Sequence, residues 1–199
     1  VRNGSNSWDS DFDTLESIRE VVPALKGQYQ VDGMFNDSNG LANMIGLDVL
    51  QTGYASTDFG HENYVVLEYT IINTTNDLIE NVNAGLFADF DIADYDKNAV
   101  YTDLTRFYTY TISTEPGSPI YGVQLLTPTT LRSYALDNIP GGAGGIDINS
   151  GFSNSDKFIA LTSNRYGAGF TDIKGNDVIQ VTGTGGFDLL AGDSVTVAF

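Results

Sequence analysis

Polar and apolar positions alternate with period two through most of this chain, the spacing of side chains on opposite faces of a strand rather than the 3.6-residue spacing of a helix. The clearest run is Asn63-Tyr64-Val65-Val66-Leu67-Glu68-Tyr69-Thr70-Ile71-Ile72, whose β-branched and aromatic residues favour extended structure. Similar alternation predicts strands over Ile45–Thr52, Val82–Phe90, Arg106–Ile112, Ile120–Leu126, Leu131–Leu136, Lys157–Thr162, Val178–Thr182 and Asp193–Phe199. Turn-forming clusters separate them, among them Asn73 to Asp77, Glu115 to Pro119, Pro140 to Gly145 and Lys174 to Asp177. About nine strands at this spacing, with no long amphipathic helix between them, predict an all-β fold: an antiparallel, jelly-roll-like β-sandwich forming a single domain over residues 1–199. At most one short helix is expected, at Thr14–Val22, where Asp13 stands as a cap, Glu16 follows three residues later and Pro23 ends the segment.

Charge narrows the possible partners. Asp and Glu number 26 against 9 Lys plus Arg, a net charge of -17, so a nucleic-acid backbone or an anionic lipid surface is repelled. An acidic surface of this kind also keeps a protein soluble in salty water without any ligand. Hydrophobic residues at 41% suffice for a core. With no cysteine, disulfides, thiolate nucleophiles and cysteine metal sites are all excluded, and a secreted chain would need another staple. Ca²⁺ held by oxygen ligands is one, suited to a chain rich in Asp and Asn. No apolar run is long enough for a membrane-spanning helix. The chain opens Val-Arg-Asn with no basic and apolar leader after it and ends on the alternating run Ser194 to Phe199, from which we expect a mature product or excised domain of a longer chain.

Two acidic clusters are candidate cation sites. In Ala88-Asp89-Phe90-Asp91-Ile92-Ala93-Asp94-Tyr95-Asp96-Lys97-Asn98, Asp89 and Asp91 share one face of an extended chain, and a turn near Ala93 could return Asp94 and Asp96 toward them. A structural Ca²⁺ would relieve the repulsion; the alternative is a solvated acidic loop. The weaker candidate, Asp9, Asp11, Asp13 and Glu20, has the spacing of an EF-hand loop, but Thr14 stands where the sharp turn needs glycine.

Catalytic patterns are absent from the sequence. His61 is the only possible imidazole base, it lies in a polar turn, and no Gly-x-Ser-x-Gly elbow accompanies it. Paired carboxylates could hydrolyse glycosides, but these acids sit mostly in turns and match no catalytic spacing. We therefore expect no catalytic residue and no enzyme activity within this segment. Eleven Tyr, eleven Phe and one Trp leave a different option, a platform for sugar rings or peptide side chains. On Phe107 to Ile112, Tyr108 and Tyr110 share a face with Ile112, and alternation alone does not say whether that face looks inward or outward.

Several stretches together resemble a family: Gly4-Ser5-Asn6-Ser7-Trp8-Asp9 with Glu20-Val21-Val22-Pro23-Ala24-Leu25, Asn63 to Thr74, Gly85-Leu86-Phe87-Ala88-Asp89-Phe90-Asp91-Ile92, and Leu190 to Phe199. They are similar to the β-sandwich region that follows the catalytic domain in secreted subtilisin-like serine proteases of Bacteroidota, proteins often exported by type IX secretion. The resemblance implies a noncatalytic accessory domain that stabilises its protease domain or positions it on protein substrate or the cell surface, and it carries no catalytic residues onto this segment. Two other roles stay open: a module binding a polysaccharide or protein polymer, and a self-assembling adhesive domain at the cell surface.

Overall fold

The computed structural model describes residues 11–127, 129–170 and 174–199. The described residues form twelve strands in three sheets and one α-helix, an all-β architecture. The described residues divide into two compact units, Asn83–Gly185 and 11–82 with Gly186–Phe199.

The unit of residues 11–82 and 186–199 is built on a five-stranded antiparallel sheet. Its strands are β1 (Asp13–Glu20), β2 (Tyr29–Asn36), β3 (Leu47–Ala55), β4 (Val65–Asn73) and β12 (Ser194–Ala198), in the order β1-β2-β3-β4-β12. The register aligns Phe35, Val49, Ile71 and Val195 in one row across the sheet, so the alternation visible in the sequence becomes an apolar face. Fully buried Asn73 ends β4 and ties three segments together, donating to the carbonyls of Asp77, Leu189 and Leu190 at 2.7, 3.0 and 3.1 Å.

The expected helix over Thr14–Val22 is instead β1. Pairing with β2 sets Thr14 opposite Phe35 and Glu20 opposite Val31. Ile18 packs where Gly33 leaves room, since a Cβ on Gly33 would lie 2.8 Å from Ile18 Cγ1, and Phe12 meets Phe35 edge-to-face at 5.1 Å. Ladder hydrogen bonds and these contacts override a helix-start signal that rested on Asp13 and Glu16 alone.

The unit from Asn83 to Gly185 is layered. One sheet has the order β10-β6-β7-β8, built from β6 (Asn98–Asp103), β7 (Tyr108–Ser113), β8 (Ile120–Gln124) and the two-residue β10 (Gly167–Ala168). The other has the order β5-β11-β9, with β5 (Ile79–Ala88), β9 (Arg132–Asp137) and β11 (Val178–Leu189); the chain enters this unit within β5 and leaves it within β11. Between the sheets lie the small residues Val100, Ala135, Ala168 and Val178 and a buried polar seam. Ser133 Oγ bonds Thr102 Oγ1 at 2.7 Å and Thr109 Oγ1 at 2.8 Å, while Gln180 Nε2 donates to the Thr109 carbonyl at 3.0 Å. The opposite face of β9 and β11 presents Tyr134, Leu136, Ile179 and Val181 to Ile146, Ile148, Phe152 and the helix α1 (Asn154–Thr162) through Ala160. β11 is buried on both faces from Val178 to Thr184, with Gln180, Thr182 and Thr184 among its buried polar residues.

Helix α1 replaces the strand expected at Lys157–Thr162. Its start is a capping box: Ser153 Oγ accepts from the Asp156 amide at 3.2 Å, and the Ser153 amide donates to Asp156 Oδ2 at 3.0 Å. Lys157, Ala160 and Leu161, at helical spacing, share one face, whereas the short period-two match came from too few residues to fix the period. Four strands, β1, β2, β6 and β10, had not been read from the alternation.

Candidate cation site and adjoining cavity

Asp89 and Asp91 follow the end of β5 in extended backbone, and Ile92, buried beside them, anchors the segment before Ala93 turns it with a φ of 57°. They do not meet Asp94 and Asp96. Their third partner is Asp177, the residue immediately before β11: one carboxylate oxygen from each of Asp89, Asp91 and Asp177 lies within 4.8 Å of the others. Two ligand oxygens on opposite sides of a Ca²⁺ at about 2.4 Å are about 4.8 Å apart, so one ion can touch all three. Three carboxylates supply at most six oxygens, and water or backbone carbonyls would complete a shell of about six to eight.

Asp177 is held by a braced turn. The backbones of Asn98 and Asn176 bond each other in both directions at 3.0 and 2.9 Å, and Asn138 donates its backbone amide to the Asp177 carbonyl and its Nδ2 to Asp177 Oδ2, both at 2.9 Å. Gly175, with φ at 89°, lets the turn pass against β6: a Cβ there would stand 2.7 Å from the Asn98 carbonyl oxygen. Asp177 Oδ1 is closed off from water and has no hydrogen-bond partner among the described residues. Burial pushes the Asp177 carboxyl above its ordinary range, with the Asp91 charge acting in the same direction and the Asn138 bond partly opposing both.

The remaining sequence candidates fall elsewhere. Asp94 pairs with Lys97 Nζ at 2.8 Å, and Glu115 accepts from the same ammonium at 2.8 Å. Lys97 and a bond shared with Asp96 hold the Asp94 carboxyl low, while that shared bond raises Asp96; the pair is thus a lysine clamp on an exposed turn. In the EF-hand-like set, Asp9 lies outside the described residues. Asp13 and Glu20 stand at opposite ends of β1, roughly 23 Å apart at about 3.3 Å per residue, too far to share an ion, and Asp11 precedes the strand. His61 Nδ1 bonds the Tyr64 hydroxyl in an exposed turn.

A cavity of about 540 Å³ opens beside the acidic trio. Its floor is Ile179 and Val181 of β11, one wall is Ala160 and Leu161 of α1 with Phe152, and the other is Leu86 and Phe87 of β5. Asp89, Asn138 and Lys157 are its polar margin, so Asp89 belongs to both the cavity and the trio. Phe87, at the rim, packs on Phe152 with ring centroids 5.8 Å apart. On the outward face of the other sheet a row of rings runs Phe170, Tyr101, Tyr110, Tyr108, with successive centroids 5.3, 5.8 and 5.2 Å apart.

Among the described residues no helix is long and apolar enough to cross a membrane. Neither protein-family models, curated proteins nor solved structures give a significant match to the chain.

Proposed function

We propose that this chain is a noncatalytic accessory module of a secreted or cell-surface protein, in which Ca²⁺ at Asp89, Asp91 and Asp177 pins the end of β5 to the start of β11. The observation that carries this reading is the convergence of three carboxylates on an Asp177 whose Oδ1 is withdrawn from water without a partner. A group in that state costs stability until a donor or a cation satisfies it. The resemblance of Gly85 to Ile92 to the region after a subtilisin-like catalytic domain supplies the context, a module that steadies or positions a neighbouring protease domain. His61, engaged with Tyr64, offers no triad-like partner to an acid.

Calorimetric unfolding in Ca²⁺ and in chelator tests it. At a Ca²⁺ concentration about 100-fold above Kd, linkage adds about 2.7 kcal/mol, or about 5–10 °C in Tm for a chain of this size. The rise should vanish in the double variant Asp89→Asn, Asp91→Asn. An unchanged Tm in the wild-type protein would reduce the trio to solvated acids.

A second reading, binding of a neutral polysaccharide, is favoured by the ring row, because Tyr101 and Phe170 keep more than a third of their surface exposed while their rings meet edge to face. Retention on insoluble polysaccharide should then fall sharply in Tyr101→Ala with Tyr110→Ala. Retention equal to wild type would mean that the row is cross-strand packing and nothing more.

A further inference from the structure

The geometry points to a ligand site in the cavity between α1 and β5, one that takes an uncharged molecule with an aromatic or branched aliphatic body and a hydrogen-bonding head. At about 540 Å³ the chamber holds the equivalent of roughly eighteen waters at about 30 Å³ each, within the range of small-molecule sites. Water is a poor occupant of its depth. Ile148, Phe152, Ala160, Ile179 and Val181 are all buried core residues, and their side chains offer no hydrogen bonds. The polar groups gather instead at the margin, where Asn138 and Lys157 flank Asp89. This is the usual division of labour in a binding pocket: an apolar chamber for affinity and a few polar atoms for orientation.

Charge selects the head group. Asp89, Asp91 and Asp177 lie together at one margin of a chain carrying a net charge of -17, so a carboxylate or sulfonate entering there meets like charge. An organic cation is held by Asp89 at the margin, short of the apolar depth, and it meets Lys157 there. An uncharged ligand escapes both effects. It can accept from the Lys157 ammonium or donate to Asp89 while its body displaces poorly bonded water from the interior. The inference does not rest on Ca²⁺ binding, since the apolar lining is the same with or without an ion.

A matched pair of fluorescent probes tests it. N-phenylnaphthylamine and anilinonaphthalene sulfonate share one aromatic skeleton and differ in a sulfonate. In chelator, the neutral probe should bind the wild-type chain saturably at one site, and the sulfonate about tenfold or more weakly. Ala160→Leu, which extends a buried wall residue into the chamber, should abolish binding of the neutral probe while the far-UV spectrum and cooperative unfolding persist. Phe87→Ala, at the exposed rim, should weaken it several-fold and serves as the second variant if Ala160→Leu does not fold. Equal binding of both probes, or neutral-probe affinity unmoved by Phe87→Ala, would overturn the assignment. Adding Ca²⁺ separates the two readings: if the trio takes the ion, the gap between the probes narrows, and if it does not, the gap stays while neutral-probe binding stands.

Discussion

Replacing Asp137 by alanine is expected to destabilise the protein by about 3–5 kcal/mol, the usual cost of removing one partner from a buried ion pair. Asp137 is only 1% exposed and closes β9 with every oxygen engaged. Its Oδ2 accepts from Arg165 Nη2 at 2.6 Å, and its Oδ1 accepts from the Gly169 amide at 2.8 Å and from Asn176 Nδ2 at 3.2 Å. Arg165 in turn donates Nη1 to the Ala135 carbonyl at 2.8 Å, so alanine at 137 leaves a half-buried guanidinium without its counterion and a buried amide without its acceptor. The double variant Asp137→Leu, Arg165→Leu should lose less than either Asp137→Ala or Arg165→Ala, because no uncompensated charge then remains. Urea midpoints at unchanged slope measure all of these. A single-variant loss under about 1 kcal/mol would show the pair to be replaceable by solvent, at the level of a surface salt bridge. The same variant bears on the candidate site, since Asn176 and Asn138, the neighbours that position Asp177, are tied to this node.

What the sequence disclosed follows from which signals are local. Alternation locates β3, β4, β5, β7, β8, β9 and β12 to within a few residues, because half-buried antiparallel strands carry their pattern in their own residues, and it finds the first five residues of the twelve-residue β11. It could not say which face of β7 looks inward. Intuition points the aromatic face to the core, yet Thr109 and Thr111 are buried in the seam while Tyr108 and Tyr110 join the outer row. A polar interlayer satisfied by Ser133 and Gln180 makes Thr an interior residue, and those partners lie on another sheet. Two segments take a different element from the one a short local pattern predicts, the first through contacts distant in sequence and the second through a neighbouring capping box. β1 is decided by Gly33 and Phe35 on β2, and α1 by the Ser153–Asp156 box just ahead of the misread run.

The candidate site divides along the same line. Asp89 and Asp91 were readable as a same-face pair on one extended segment. Asp177 was missed because it comes from the far end of this unit's chain, although Gly175-Asn176-Asp177 was visible as a turn opening onto a buried strand, the same kind of position that Asp89 occupies at a strand's end. Asp94 lies apart from the Asp89 and Asp91 pair, on Lys97, and shares a bond with Asp96; an ammonium within an acidic run competes with any cation for such carboxylates.

Asp177→Asn is expected to change the sign of its effect with calcium. Without metal, Asp177 is a carboxyl whose folded pKa lies above its unfolded value, chiefly through burial and then through Asp91. Such a group binds its proton more tightly in the folded chain. Its contribution therefore favours folding below the unfolded value, about 3.9, and becomes a cost as pH rises through the higher folded value. In chelator, wild-type Tm should fall relative to that of the Asn variant across that window, leaving the variant above wild type near neutral pH. Asparagine can keep the bond from Asn138 on its carbonyl oxygen while removing the charge that burial and Asp91 both disfavour. In saturating Ca²⁺ the order should reverse. The ion stabilises the ionised trio, and a neutral amide forfeits one charged ligand and most of the roughly 2.7 kcal/mol of linkage that about 100-fold excess ligand supplies. Melting curves of the two proteins at several pH values, each with Ca²⁺ and with chelator, decide the matter. An Asn variant that retains the full calcium response removes Asp177 from the site, and one that is equally destabilised under both conditions makes Asp177 a packing residue, with the carboxylate charge irrelevant. A crossing of the two orders requires the same carboxylate to be a liability when alone and a ligand when Ca²⁺ is present, which neither a solvated acid nor a purely structural side chain produces.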